Sequence, residues 1–184
     1  TNVKPTALYT NSDELEQTGT FVGFGRTGDG LTGEQEGTGG TNRAGTNIID
    51  WTGTSFDFSD KILMSDFDDP RVNQATDLEY SIAPGDSGGG MFINGYLAGV
   101  NSFVHARKDS TADASYSDTI GVTRVSSFID WIGNNINNSN PNSNLTSDTY
   151  SSDSDSTIVS INPSSTNLSA ELETKTTVPE PSIP

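Results

Sequence analysis

The sequence contains no cysteine, only one histidine among its 184 residues, and no apolar run as long as a membrane-spanning helix. Without cysteine there is no disulfide framework, so packing alone must stabilise the fold. Basic residues are also scarce, because 9 Lys and Arg stand against 25 Asp and Glu and give a formal charge of −16. A field of that sign repels nucleic-acid phosphates and anionic lipid surfaces, which argues against nucleic acid as a partner. The lack of a long apolar run argues against a transmembrane segment in this chain.

Apolar residues make up 30% of the chain and are concentrated before about residue 136, which predicts one small core. They form short segments between Gly-rich turns, a pattern typical of an antiparallel barrel or sandwich. The predicted strands are residues 20–25, 47–51, 61–67, 91–93, 96–104 and 119–125. In the first of them, Gly23 and Gly25 predict a close backbone approach or a bulge. Residues 27–45, rich in Gly and Thr, predict a long mobile loop.

The hydrophobic period changes from strand to helix near residue 125. The apolar residues then follow the spacing of one helix face, and Ser127 with Asp130 resembles an N-cap with an acidic first turn. That face consists of Val125, Phe128, Ile129, Ile132 and Ile136. One short amphipathic helix is therefore expected to close an otherwise all-β domain.

Residues 85–89 read Gly-Asp-Ser-Gly-Gly and carry the strongest chemical signal of the sequence. A serine between glycines can act as a hydroxyl nucleophile, because its small neighbours leave room for substrate and let backbone N–H groups turn towards it. Two apolar segments joined by Asn94 and Gly95 follow, which predicts a β-hairpin. The motif indicates a hydrolase whose Ser87 lies at the mouth of a β structure.

The acidic residues between positions 57 and 69 do not predict a metal site. Their spacing lacks the glycine and the terminal glutamate of a calcium loop, so a solvated acidic surface is the favoured interpretation. These residues are Asp57, Asp60, Asp66, Asp68 and Asp69. No metal and no other cofactor is predicted.

The serine motif and its hairpin resemble the nucleophile segment of trypsin/chymotrypsin-like serine peptidases. Residues 121–125 leading into residues 128–132 resemble that family's last strand and terminal helix, and residues 21–25 resemble the first strand of its second barrel. The resemblance implies an all-β fold: the carboxy-terminal six-stranded antiparallel β-barrel of a two-barrel enzyme, closed by a short C-terminal helix and followed by a disordered tail.

The same resemblance divides the chain into four parts. Residues 1–17 correspond to the linker between the two barrels and are expected to run over the surface, and residues 18–137 correspond to the second barrel. Residues 138–178, rich in Ser, Asn and Thr, predict a disordered linker. Residues 179–184 begin a candidate sorting signal.

The resemblance assigns roles to individual residues of the serine motif. Ser87 corresponds to the nucleophile, and the N–H groups of Gly85 and Ser87 correspond to the oxyanion hole. Asp86 matches the residue that supports the hole and that, in activated members, pairs with a freed amino terminus. The segment Ser102, Phe103 and Val104 matches the one that binds substrate backbone and lines the specificity pocket.

Three positions match the specificity pocket of the family. Ser81 matches its base, while Val104 and Ile120 match wall positions that glycine often occupies. A serine base offers no carboxylate to Lys or Arg, and two branched walls narrow the slot. The resemblance therefore favours small apolar side chains at the cleaved position.

The chain lacks half of the catalytic machinery that the resemblance implies. The mechanism needs a histidine that accepts the serine proton and an aspartate that orients it, and in this family both precede the serine. The one histidine, His105, follows Ser87 and is expected to be a solvated loop residue. We therefore expect this chain to be an inactive fragment whose missing amino-terminal barrel supplies both groups.

Residues 179–181, Pro-Glu-Pro, resemble the start of the bacterial PEP-CTERM sorting tail, which an exosortase recognises. The plain alternative is a proline-rich linker. The first interpretation predicts an exported bacterial protein, periplasmic or located at the cell surface or outside the cell.

Together these patterns predict a secreted serine-type endopeptidase that cleaves protein or peptide substrates through an acyl-enzyme on Ser87. The alternative from another class is a non-catalytic surface module. It is a degenerate peptidase domain that binds a partner through the groove corresponding to the substrate-binding groove of the family. A third interpretation is a structural β domain whose glycine-rich motif is only a turn. A histidine and an aspartate encoded upstream would favour the enzyme.

Overall fold

The structure is a computed structural model and describes residues 3–71, 75–107 and 109–139, with side chains up to residue 136. Of the predicted linker, residues 138–178, the part from residue 140 onward lies outside the described residues, and so does the predicted sorting signal at residues 179–184.

Strands dominate the described part of the chain, and one α-helix follows them. Short 3-10 turns at Gly53–Phe56 and Val125–Phe128 connect elements. The strands are β1 (Thr18–Gly23), β2 (Thr27–Asp29), β3 (Gly33–Gln35), β4 (Arg43–Ile48), β5 (Trp51–Thr52), β6 (Ile62–Asp66), β7 (Gly90–Ile93), β8 (Tyr96–His105) and β9 (Thr119–Arg124), and the helix is α1 (Ile129–Ser139).

Seven strands form one curled antiparallel sheet in the order β4-β1-β7-β8-β9-β6-β5. The Asn47 side chain links its two halves, because its Nδ2 donates to the carbonyl of Asp66 at 2.6 Å and to that of Tyr80 at 3.0 Å. The predicted all-β antiparallel barrel followed by a short helix is confirmed. The main sheet has a seventh strand, because the two residues of β5 pair with β6.

The core lies inside this sheet and follows from the alternation of side chains along each strand. In β1, residues alternate between exposed and buried. Thr18 and Thr20 are exposed, whereas Phe21 and Gly23 are buried. The predicted hairpin of β7 and β8 is present, with Asn94 and Gly95 both at positive φ in its turn. The buried cluster comprises Tyr9, Phe21, Ile49, Leu63, Ile82, Met91, Ile93, Ala98, Ile120 and Val122.

The segment predicted as a mobile loop, residues 27–45, instead contains the β2–β3 hairpin and the start of β4. Its apolar content is low, so the hairpin depends on turn chemistry. The Asp29 carboxylate accepts the N–H groups of Leu31 and Thr32 at 2.9 and 3.0 Å, and Gly33 takes a φ of 73°.

The segment before β1 also differs from the prediction of an exposed connector. Leu8 forms a parallel bridge with Leu97, and both Tyr9 and Glu14 are buried. The helix also begins later than predicted: Ser127 lies in a 3-10 turn, and α1 begins at Ile129. In the described part of the chain, no helix is long and apolar enough to cross a membrane.

Candidate active site

The serine motif lies in a turn between the core and β7. The N–H of Asp86 donates to the carbonyl of Ala83 at 2.9 Å, and Gly85 has a φ of 100°. Pro84 in the second position and a positive-φ glycine in the third are the residues of a type II turn. The glycine of this motif is thus required by the backbone conformation.

Two further hydrogen bonds attach the motif to β8. The N–H of Gly88 donates to the carbonyl of Asn101 at 2.9 Å, and the N–H of Asn101 donates to the carbonyl of Gly89 at 2.8 Å. A methyl group on Gly89 would lie 2.2 Å from the carbonyl oxygen of Val22, so the backbone of β1 packs closely against the motif.

Ser87 is exposed, and its Oγ donates to the carbonyl of Ser102 at 3.4 Å, a long hydrogen bond. The N–H groups of Gly85 and Ser87 have no acceptor among the described residues. An exposed hydroxyl therefore lies beside two backbone donors that remain available to an oxygen from outside the chain. The structure thus brings Gly85, Ser87 and Ser102 together.

Asp86 points in the opposite direction and is 2% exposed. Its Oδ1 accepts the N–H of Gly25 at 2.6 Å, and its Oδ2 accepts the N–H of Ala83 at 2.9 Å. A Cβ on Gly23 would lie 1.9 Å from Oδ1, and one on Gly25 would lie 2.5 Å from the carboxylate carbon. The close approach predicted at these two glycines is therefore the packing of β1 and its following residues on the Asp86 carboxylate.

Behind the turn lies a cavity of about 230 Å³, to which Tyr80, Ser81 and Asp86 all contribute. Burial raises the pKa of the Tyr80 phenol well above its ordinary value, and the negative charge of nearby Asp86 raises it further. Tyr80 was not among the residues predicted from the sequence. Its position beside a candidate pocket base was the available signal, but nothing local pairs it with Asp86.

The structure places two of the three predicted specificity residues side by side. Val104 of β8 lies directly opposite Ile120 of β9 in the register of the sheet. Ile120 is 1% exposed within the core, and Val104 packs against the same cluster. Their side chains therefore lie side by side on one face of the sheet, and neither residue is among those that line the cavity behind the turn. Ser81 lines the cavity behind the turn, and its hydroxyl donates to the carbonyl of Ile82 at 3.3 Å.

Phe103 and His105 belong to an aromatic cluster at the end of β8. The Phe103 ring packs on Gly121, where a Cβ would lie 2.3 Å from a ring carbon, and it contacts the ring of Phe58 at 5.1 Å between centroids. The His105 ring contacts Phe58 at 5.5 Å and Phe56 at 5.7 Å. His105 is thus half-buried among rings, because β8 extends to this residue. It does not lie in a solvated loop.

The predicted acidic surface is partly buried. The N–H of Asp66 donates to Oδ2 of Asp50 at 3.1 Å, and Arg107 lies 3.6 Å from the Asp66 carboxylate. Burial and the neighbouring Asp66 and Asp68 raise the pKa of Asp50 to about 7. Within the described ranges, no three His, Cys, Asp or Glu side chains are placed to hold a metal ion.

An antiparallel β domain that presents an exposed serine on a glycine turn, above a buried aspartate, has the form of a serine-peptidase domain. The family model named Trypsin matches residues 1–132, and the chain belongs to the trypsin family. No curated protein matches it.

Two solved structures share this fold. Mouse neuropsin, a serine protease expressed in the limbic system of the brain, is 17% identical with a TM-score of 0.53, and the match covers 73% of this chain and 54% of neuropsin. A mutant of human heparin binding protein is 18% identical with a TM-score of 0.51, covering 78% of this chain and 53% of that protein. The chain thus spans about half the length of these two structures.

Proposed function

We propose that this chain is the nucleophile-bearing half of a serine endopeptidase, which hydrolyses peptide bonds through an acyl-enzyme on Ser87. One observation carries the proposal: an exposed Ser87 hydroxyl lies beside the free N–H groups of Gly85 and Ser87, on a turn tied to a buried Asp86. This is the arrangement that acyl transfer needs, because a nucleophile and donors for the developing oxyanion must share one place.

In this proposal, the serine oxygen attacks the substrate carbonyl, its proton passes to a general base, and the carbonyl oxygen becomes an oxyanion. The N–H groups of Gly85 and Ser87 stabilise that oxyanion, and such a donor contributes about 3–4 kcal/mol to the transition state. Collapse of the intermediate expels the amine, and water then hydrolyses the acyl-enzyme. Residues 102–104 bind the substrate backbone, since Ser102 already contacts Ser87.

The general base comes from outside this chain. His105 lies among the rings of Phe56 and Phe58, and its contacts do not include Ser87. We propose that an amino-terminal barrel supplies the histidine and the aspartate, and that the chain without it is inactive. The coverage of 54% and 53% in the two solved structures supports a second half of similar size.

The proposed cleavage site follows a small apolar residue. Val104 and Ile120 lie opposite each other on neighbouring strands. In the proposed pocket, these two branched side chains form the walls and leave room only for a small residue. Ser81 offers a hydroxyl and no charge to a basic side chain. A protein or peptide substrate with Ala or Val at the cleaved position fits such a slot best.

Residues 179–181 support a proposal about location. A Pro-Glu-Pro sequence behind a Ser-, Thr- and Asn-rich segment favours an exported bacterial protein whose tail an exosortase processes. Mass spectrometry of the mature protein tests this, because removal of the tail gives a carboxy terminus within or just after this sequence. A mature protein from the cytoplasm would contradict it.

Labelling with a fluorophosphonate tests the function, because only an activated serine reacts rapidly with it. The full-length gene product is labelled, and Ser87→Ala is compared with Ser55→Ala, which removes an exposed serine of a 3-10 turn. We expect Ser87→Ala to abolish labelling, and Ser55→Ala and His105→Asn to retain it.

Two outcomes overturn the endopeptidase. Labelling that persists in Ser87→Ala places the reactive group elsewhere. An unlabelled full-length product without an upstream histidine and aspartate leaves the non-catalytic binding module as the better interpretation.

A further inference from the structure

We propose that Asn101 is a positioning residue for the nucleophile: its backbone and its side-chain amide hold Gly88 and Gly89 where the sheet opens, and thereby place Ser87. The inference rests on the proposed function and adds to it a residue that does not touch the substrate. It follows from the hydrogen bonds of one buried asparagine in β8.

Asn101 binds the serine motif through its backbone and β1 through its side chain. Its N–H donates to the carbonyl of Gly89 at 2.8 Å, and its carbonyl accepts the N–H of Gly88 at 2.9 Å. Its Nδ2 donates to the carbonyl of Val22, 79 residues earlier in the chain, at 3.1 Å. One residue therefore joins the serine motif, β8 and β1.

The side chain of Asn101 lies where β1 and β7 separate. These strands pair at two positions, the second of which is Phe21 with Met91. The carbonyl of the next residue, Val22, points towards the serine motif, since a Cβ on Gly89 would lie 2.2 Å from it. The Asn101 amide donates to this carbonyl in place of a further strand residue. The chain before β7 is therefore free to leave the sheet and form the nucleophile turn.

A β-bulge follows Asn101 and directs the next residue towards the nucleophile. In the pairing of β8 with β9, the register shifts between Asn101 and Phe103, so Ser102 is the extra residue. Such a bulge bends the strand and re-aims its groups. The carbonyl of Ser102 accepts the Ser87 hydroxyl at 3.4 Å. The hydrogen bond between Gly88 and Asn101 lies one residue from this contact in both segments, so it restrains both partners.

An asparagine at this position is unfavourable for the stability of the fold. Asn101 is 2% exposed, and its Oδ1 is buried without a hydrogen-bond donor among the described residues. A buried acceptor without a donor destabilises the folded state. A leucine would have the same branched shape without that acceptor. The amide therefore serves the placement of the serine motif more than the stability of the core.

Movement of Gly88 and Gly89 would displace the nucleophile directly, because Gly88 is bonded to Ser87 in the chain. Even a small shift misaligns the serine oxygen with the carbonyl that it attacks and with the N–H donors beside it. Such a misalignment slows bond formation more than it weakens binding. The loss of the Asn101 amide should therefore lower the rate of the chemical step.

The test is Asn101→Leu in the full-length protein, which keeps the branched shape and removes the amide. The reaction with a small alkyl fluorophosphonate is resolved into its maximal rate of inactivation and its half-saturation concentration, both measured on folded molecules. We expect the maximal rate to fall about ten-fold and the half-saturation concentration to change by less than about two-fold. Asn101→Ser is the second variant. Its side chain is too short to reach Val22 and adds no bulk, so the same loss is expected.

Asn47→Leu is the matched control. Asn47 is also 2% exposed, and its Nδ2 also donates to backbone carbonyls, but these belong to Asp66 and Tyr80, outside the serine motif. Its loss should destabilise the fold and leave the maximal rate of folded molecules within about two-fold of the wild-type rate.

Hydrogen exchange at the amides of Gly88 and Gly89 gives a readout that does not depend on activity. We expect exchange at least about five-fold faster in Asn101→Leu than in the wild type, and wild-type exchange in Asn47→Leu. Unchanged exchange in Asn101→Leu would overturn the inference.

Four kinetic or folding results would also overturn it and leave the proposed function intact. They are a wild-type maximal rate in the Asn101 variants, an effect confined to the half-saturation concentration, equal slowing in Asn47→Leu, and failure of both Asn101 variants to fold. Wild-type protein without Ser87-dependent labelling overturns the proposed function itself, whereas the exchange measurement still decides whether Asn101 holds the motif.

Discussion

The guanidinium of Arg124 binds the carboxylate of Glu14, 110 residues earlier in the chain, at a fully buried position. Nε of Arg124 donates to Oε1 at 3.0 Å, and the hydroxyl of Ser126 donates to the same oxygen. Glu14 is 0% exposed, and the hydrogen bond to it is the main cause that raises the pKa of Arg124. The segment before β1 is thereby fixed to the end of β9.

Replacing Glu14 by Gln should lower the free energy of unfolding by roughly 3 kcal/mol, because it leaves the charge of Arg124 without its buried partner. Gln keeps the volume of Glu but offers one acceptor oxygen in place of two. Urea denaturation of the variant and the wild type measures the difference.

The control for this prediction is Glu36→Gln. Glu36 pairs with Arg26 at 3.5 Å but its side chain is 88% exposed, so its loss should change stability by less than about 0.5 kcal/mol. Equal effects of the two substitutions would show that the buried Glu14 pair contributes no more to stability than the exposed Glu36 pair.

The raised pKa of Asp50 predicts that the free energy of unfolding falls as the pH rises. Burial raises the pKa of Asp50 to about 7 in the fold, from an ordinary value of 3.8, so the folded state holds a proton that the unfolded state releases. The stability that protonated Asp50 contributes is fully present below about pH 4 and is lost as the pH rises through 7. Since Asp50 is only half-buried and Arg107 lies near its partner Asp66, we expect a loss of about 1–2 kcal/mol between pH 5 and pH 8.

Asp50→Asn should reduce this pH dependence, because an amide still accepts the N–H of Asp66 but does not ionise. Unfolding free energies of both proteins at pH 5 and pH 8 supply the comparison. Asp60→Asn, at an exposed position, should leave the dependence as in the wild type. If the unfolding free energy of Asp50→Asn changed between pH 5 and pH 8 as much as that of the wild type, the prediction would be contradicted.

Gly25→Ala should abolish fluorophosphonate labelling of the full-length protein. The new Cβ would lie 2.5 Å from the carboxylate carbon of Asp86, so the carboxylate must move and the turn with it. Overpacking of this kind also costs about 1–3 kcal/mol of stability. Gly133→Ala, where nothing lies within 4 Å, is the control and should label normally. Normal labelling of a folded Gly25→Ala protein would show that Asp86 does not determine the shape of the turn.

Val104→Ala should widen the proposed specificity slot. Removing two methyl groups opposite Ile120 makes room for a larger side chain, so the ratio of kcat/KM for peptides cleaved after Leu to those cleaved after Ala should rise about ten-fold. Val100→Ala, on the same strand but opposite Thr123, should leave the ratio unchanged. An unaltered ratio in Val104→Ala would remove this residue from the specificity pocket.

Much of the fold was predictable from local patterns. The β7–β8 hairpin follows from alternating apolar residues around Asn94 and Gly95, and the turn before Ser87 follows from Pro84 and Gly85. The β2–β3 hairpin was missed because its stability comes from the Asp29 turn and from a contact of Glu34 with the carbonyl of Asp113, both weakly signalled in a polar segment.

The sequence by itself determined the nucleophile motif and the all-β class, because turn chemistry and strand periodicity act between near neighbours in the chain. It also showed that the one histidine follows Ser87. Only the tertiary structure decided what surrounds Asp86 and Glu14, since their partners lie 61 and 110 residues away. Burial makes these charges costly unless such distant donors meet them, and that requirement can be seen only when the chain is folded.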